Sequence, residues 1–197
     1  ATFFLTPGSV PPVANFHILP SNTVCVGTQV SFVDSATNNG AIITAAGYNF
    51  GTGAGNSGIY QSVQPTVNKT YTTAGTYQVV YTLSTVNPIT NMPCTYSTKI
   101  RTITVINYPD ASFVATVKPG CPGGRDTLKL LNPDANVTYT PGYSTATALT
   151  PLSAQGPYPL TLPSNLGNVI FSMTATGYGC TSPMKYDTVQ VQVCSNP

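Results

Sequence analysis

The chain has 197 residues, of which seven are Lys or Arg and five Asp, with no Glu, one His and a formal net charge of +2. Charged residues make up only 6% of it, against about 25% in ordinary soluble proteins, and no basic cluster is present to hold a nucleic acid. No apolar run approaches the ~20 residues of a membrane-spanning helix, so neither nucleic acid nor a membrane span is expected.

With so few charges, the surface must be covered by Thr, Ser, Asn, Gln and Tyr, which suit strands and turns better than helices. Eighteen Pro and 17 Gly punctuate the chain every few residues, as short strands require. The expected fold class is all-β, and the length suffices for two ordinary sandwich domains. Five Cys in such a chain point to an oxidising, extracellular compartment.

Taken in order, Ala1-Thr2-Phe3-Phe4-Leu5-Thr6 is a short strand-like segment without the basic head or long apolar core of a signal peptide. The chain reads as a mature product or a segment of something longer. Pro7-Gly8-Ser9-Val10-Pro11-Pro12 follows as a stiff, extended linker, and residues 1–12 form the first division of the chain. Two uses of the segment stand open. It can add to an edge of its own domain, or it can insert into a neighbouring subunit, making Phe3, Phe4 and Leu5 a polymerisation strand.

A first domain is expected over residues 13–107. Cys25 precedes a strand at Gln29–Val33, Asp34–Gly40 is a turn-rich loop, and Ile42–Phe50 is a strand that runs into glycine turns at 51–58. A further short strand is expected between Tyr60 and Val67. From Tyr71 a turn at Gly75 opens a strand in which Tyr77, Val79, Tyr81 and Leu83 share one face, while Thr76, Gln78, Thr82 and Ser84 share the other. Period two with one apolar face marks a strand packed on a core. Lys99–Ile106 closes the domain.

The segment Tyr48-Asn49-Phe50-Gly51-Thr52-Gly53, followed by Tyr71, Gly75, Tyr77, Val79 and Tyr81, resembles the signature of the PKD domain, an immunoglobulin-like sandwich. That family's pattern is Trp-Asp-Phe-Gly-Asp-Gly and then Tyr-x-x-x-Gly-x-Tyr-x-Val-x-Leu. Here Tyr48 stands for its Trp, and Asn49 and Thr52 for its two Asp. Loss of both carboxylates removes the oxygen ligands a calcium ion would want, so no metal or other cofactor is expected. The resemblance further implies a bridge between Cys25 and Cys94, early in the chain and between the last two strands.

Residues 108–197 read as a second, diverged copy. Ala111–Val117 echoes the first domain's opening, with a strand, then Pro, then Cys121. Asp126–Leu131 is a strand, and Val169, Phe171, Met173 and Ala175 alternate cleanly in the next. Val189, Val191 and Val193 alternate in the closing strand. Cys180 lies in the hairpin where Cys94 lies in the first domain, so Cys121 is paired with Cys180. Cys194 is then left as a free or intermolecular thiol, with Cys180–Cys194 as the competing pairing. The expected architecture is two tandem immunoglobulin-like β-sandwich domains, PKD-like and then Ig-like, as in large type IX-secreted bacterial surface proteins.

Catalysis has little to stand on. General acid–base work needs carboxylates or imidazoles held together, and His17 has no carboxylate near it in sequence. It reads as a surface or edge histidine, and no enzymatic activity is expected. Asp34-Ser35-Ala36, Asp126-Thr127-Leu128 and Asp187-Thr188-Val189 resemble the O-glycosylation acceptor of bacteria carrying such surface proteins, with Ser35, Thr127 and Thr188 as attachment points. The competing reading is ordinary Asp-capped turns. Asn68-Lys69-Thr70 and Asn136-Val137-Thr138 fit the N-linked sequon. Tyr139, Tyr143 and Tyr158, placed in or near loops, are candidates to stack on glycans. The expected function is a structural, extracellular one: a filament subunit or a module of a large adhesin, its partners further copies or neighbouring domains. The alternative is an accessory module that binds carbohydrate or substrate for a secreted enzyme.

Overall fold

The computed structural model describes residues 12–52, 57–60, 66–86, 93–143 and 157–194, with the side chains of 57–60, 93–96 and 143 outside the description. Phe3, Phe4 and Leu5 therefore lie outside the described residues. The chain divides into two units, Ala1–Ile106 and Asn107–Pro197. Both are built from strands alone among the described residues.

In the first unit the strands are β1 (Phe16–Leu19), β2 (Thr23–Cys25), β3 (Gln29–Asp34), β4 (Ile42–Asn49), β5 (Ser57–Tyr60), β6 (Thr66–Thr70), β7 (Gly75–Val86) and β8 (Pro93–Ile106). They form a three-stranded sheet in the order β1-β3-β6 and a five-stranded sheet in the order β2-β8-β7-β4-β5. All pairings within these sheets are antiparallel except β2 on β8. β7 carries the alternation read in the sequence: Val79, Tyr81 and Leu83 are fully buried, and Tyr77 is half-buried. Where one short strand was expected between Tyr60 and Val67, β5 ends at Tyr60 and β6 begins at Thr66. Cys94, expected in the hairpin after β7, lies within β8 opposite Thr85.

The core of this unit is aromatic. Tyr48 stacks on Tyr81 with centroids 4.6 Å apart, Phe32 lies 4.9 Å from Phe50, and Phe16 meets Tyr48 edge-on at 5.4 Å. Such pairs add to simple area burial through the ring quadrupoles. Cations close two sides of the cluster: the Arg101 guanidinium lies 5.5 Å from the Phe16 centroid, and Lys69 Nζ lies 5.9 Å from that of Phe50.

The second unit holds β9 (Phe113–Ala115), β10 (Arg125–Leu130), β11 (Thr138–Tyr143), β12 (Tyr158–Thr161), β13 (Gly167–Gly177), β14 (Cys180–Thr181) and β15 (Lys185–Val191). One sheet has the order β12-β10-β9; the other runs β11-β13-β14, with β15 also on β13. Val169, Phe171, Met173 and Ala175 of β13 are buried, as their alternation requires, against Leu128 and Leu130 of β10 and Val189 and Val191 of β15. β11 contains Pro141 and Gly142, which hide it in the sequence. Pro141 is tolerated because, among the described residues, β11 pairs on one side only, and a missing N–H breaks no ladder on the other.

Two expectations in this unit are corrected. Cys121 is bonded to Cys194, with Cα atoms 5.6 Å apart. It is thus not paired with Cys180, and Cys194 is not a free or intermolecular thiol. The cause is the parallel bridge that draws Gly120 beside Val191, through Gly120 N donating to Gln190 O and Gln192 N to Gly120 O, each at 3.0 Å. That pairing places Cys121 next to the chain end. For the same reason the closing strand stops at Val191, and Val193 is 75% exposed instead of continuing the inward series. Cys25 and Cys180 each take part in a disulfide as well. The side chain of Cys94, the expected partner of Cys25, lies outside the described residues.

Candidate functional site

The PKD-like motif residues act as scaffold. Gly51 N donates to Asn49 Oδ1 at 2.9 Å, so Asn49 caps this turn with its side-chain carbonyl. Gly51 has φ +71°, and a Cβ there would stand 2.6 Å from Gln78 O, so no other residue fits. Tyr71 donates its hydroxyl to Phe50 O at 3.3 Å and packs on Tyr77 at 4.5 Å. Burial, and then Tyr77, push the Tyr71 phenol up to about 12. Tyr77 donates in turn to Thr73 O at 2.7 Å. Burial, and then the charge of Asp34, hold Tyr48 and Tyr81 above the ordinary phenol range.

The carboxylates are committed to local main chain. Asp126 Oδ1 accepts from Thr116 N, Thr116 Oγ1, Val117 N and Thr127 N at 2.6 to 3.1 Å. Asp187 Oδ2 accepts from Ala115 N at 2.8 Å, while its Oδ1 takes Thr188 N and the Lys118 ammonium. Asp126 on β10 and Asp187 on β15 therefore clamp one segment, Ala115–Lys118, just before the bridged Gly120 and Cys121. Burial pushes the Asp187 carboxyl up, but Lys118 and the N–H groups of Ala115 and Thr188 outweigh it and hold it below the usual range. Asp110 is lowered by Ser112 and Asn132, which donate to its two oxygens. Asp134 is lowered chiefly by Asn136 N and then by the Tyr178 hydroxyl. That last contact holds Tyr178, at φ +56°, in the two-residue turn between Gly177 and Cys180.

Of the three acceptor hydroxyls, Thr188 stands exposed on β15. Thr127 is half-buried at a cavity of about 550 Å³ shared with Thr116, Lys129 and Leu131. Ser35 Oγ has no solvent access and offers no attachment point in the folded chain. Asn68 and Asn136, the sequon residues, are exposed. Two of the three candidate glycan-stacking tyrosines are corrected. Tyr139 is 1% exposed on β11 and Tyr158 6% on β12, because both alternate into the core of the second unit. Tyr143 has its side chain outside the described residues.

One surface feature escaped the sequence reading. His17, exposed on β1, lies at a groove of about 610 Å³ that it shares with Ile18, Leu19, Ile100, Arg101 and Thr102. Its walls are β1, the edge strand of the three-stranded sheet, and the part of β8 that β2 leaves uncovered. Arg101 Nη2 donates to Asn15 Oδ1 at 3.1 Å, while its Nε is buried without an acceptor. Ser97, on the same side of β8 as Arg101, accepts from Ala14 N at 3.0 Å. The signal available in the sequence was a break in β8's inward series, where Ser97, Lys99 and Arg101 precede Ile103 and Val105.

Residues 9–101 match the PKD domain family. No curated protein matches the chain. Among solved structures it is similar to the fibronectin(III)-like modules of Clostridium thermocellum CbhA, at 11% identity over 91% of this chain and 95% of that one, TM-score 0.41. It is similar to carbohydrate-binding modules of the β-sandwich superfamily, at 16% identity over 94% and 86%, TM-score 0.40. It is similar also to the ICAM-5 D1–D4 ectodomain fragment, at 16% identity over 91% and 47%, TM-score 0.48.

Proposed function

With a PKD-like domain of immunoglobulin fold in residues 9–101, followed by a second sandwich held by Cys121–Cys194, we propose that this chain is an extracellular structural module, a subunit of a surface filament or part of an adhesin. The observation that carries the reading is the commitment of its polar chemistry to architecture. Asp126 and Asp187 bind main-chain donors, and the motif residues Asn49 and Tyr71 pin turns. The reading assigns no catalytic role: His17 is the sole histidine, and the carboxylates described above are held in turns and clamps. The disulfides support the extracellular part of this reading, since such bonds persist in oxidising compartments.

Within this class, assembly proceeds by strand addition of residues 1–6, with Phe3 and Leu5 filling pockets of a neighbour and the proline linker holding the segment away from its own domain. Negative-stain microscopy of native, non-reduced material is expected to show regular fibres. Replacing both Phe3→Asp and Leu5→Asp is expected to leave single chains. Unchanged fibres from that variant would remove strand addition.

The second reading is an accessory module that binds polysaccharide. It is favoured by Tyr186, 66% exposed on β15 and near Ile170, 44% exposed on β13, since a flat aromatic surface can stack on sugar rings. Compact monomers whose polysaccharide binding is lost with Tyr186→Ala would decide for it.

A further inference from the structure

We infer that the groove between β1 and β8 is the acceptor site for residues 1–6 of a second copy of this chain; the inference rests on the strand-addition reading above and names where the strand goes. β2 pairs with β8 only at Thr104, Val105 and Ile106. From Ser97 to Thr102 no strand among the described residues pairs with that side, while β7 takes the other. The orientation of the open groups follows from their neighbours. Thr104 N donates outward to Asn22 O at 2.8 Å, and Ile106 O accepts from Val26 N at 2.9 Å. Main-chain groups of a strand alternate in direction, so the N–H and C=O of Thr98, Ile100 and Thr102 point the same way, to the uncovered edge.

The edge matches the proposed occupant in length and chemistry. Residues 97–102 offer six positions, and residues 1–6 supply six, about 20 Å of strand. Ile100, 56% exposed on β8, supplies an apolar wall for the face that Phe3 and Leu5 share. The segment carries no charged side chain to oppose Arg101. A carbonyl of an incoming strand would also give the buried Arg101 Nε the acceptor it lacks. Arg101 and the exposed Lys99 stand beside the edge, and charges there guard against indiscriminate pairing, so a productive partner must bring its own apolar anchors. The linker Pro7–Pro12 spans about 19 Å if extended and, being stiff, favours delivery to another molecule over reversal.

The test uses the full chain with Phe3 replaced by photoreactive benzoylphenylalanine, mixed as unlabelled and ¹⁵N-labelled protein, irradiated and mapped by mass spectrometry. Mixed-isotope crosslinks at residues 17–22 or 100–102 are the expected result. Mixed-isotope crosslinks elsewhere would overturn the groove while leaving strand addition standing. Crosslinks within single chains, or none, would overturn strand addition and the groove together. In parallel, Ile100→Arg, at an exposed position, is expected to lower assembly at least tenfold with thermal unfolding unchanged; full assembly by that variant would also overturn the assignment.

Discussion

At the scale of single residues, this chain uses its few charges as structural clamps. Asp187 shows the energetic sign. Its carboxyl is held below the ordinary value of 3.8 by Lys118 and two N–H donors acting against burial. A group with a depressed folded pKa contributes stability that is complete above its unfolded pKa, about 3.9, and that is lost as pH falls through the lower folded value. Stability is therefore expected to decline below about pH 4, and Asp187→Asn to decline less steeply there. Urea unfolding between pH 2 and 6 checks this, and parallel curves for the two proteins would refute it. Gly51 is the residue-scale position most legible from sequence, because the motif that contains it demands a turn. Its reason, the 2.6 Å approach of Gln78 O, belongs to packing and could not be read there. Ser35 and Thr188 carry the same local pattern, yet one hydroxyl is enclosed and the other exposed. Neighbouring strands decide that difference.

At the scale of elements, legibility followed periodicity. β7 and β13 announce themselves by alternation because each packs one face on a core and shows the other to solvent. β11, broken by Pro141 and Gly142, and β12, which holds Tyr158, are hidden because their anchoring tyrosines sit among turn-forming residues. The disulfide error has the same origin: covalent pairing depends on which chain ends meet, and the Gly120–Val191 bridge joins residues distant in sequence. The Cys121–Cys194 bond closes 73 residues, which removes unfolded-state entropy equivalent to about 4 kcal/mol. Replacing both by Ser is expected to destabilise the chain by roughly that amount, read from the urea midpoint. A loss well under ~1 kcal/mol would mean that the main-chain bridge and the Asp clamps hold this corner without the disulfide.

At the scale of the whole molecule, low charge sets how it can associate. With a net charge of +2, attraction between copies would have little electrostatic content, and the proposed strand addition would rely on main-chain hydrogen bonds and apolar side chains. The assembled fraction is expected to be nearly the same at 0.05 M and 1 M NaCl, since salt screens only charges. Sedimentation at the two concentrations checks this, and dissolution at high salt would place the joint on charged contacts instead. Composition and alternation, by themselves, determined that this chain is all-β, and the motif residues from Phe50 to Tyr81 carried the resemblance that marks its first half as PKD-like. These are properties of local spacing and residue type. Only the tertiary structure decided that Cys194 meets Cys121, that Tyr139 and Tyr158 turn inward, and that, among the described residues, no strand pairs with β8 beside β1. Each depends on which distant strands become neighbours, and local periodicity does not encode that.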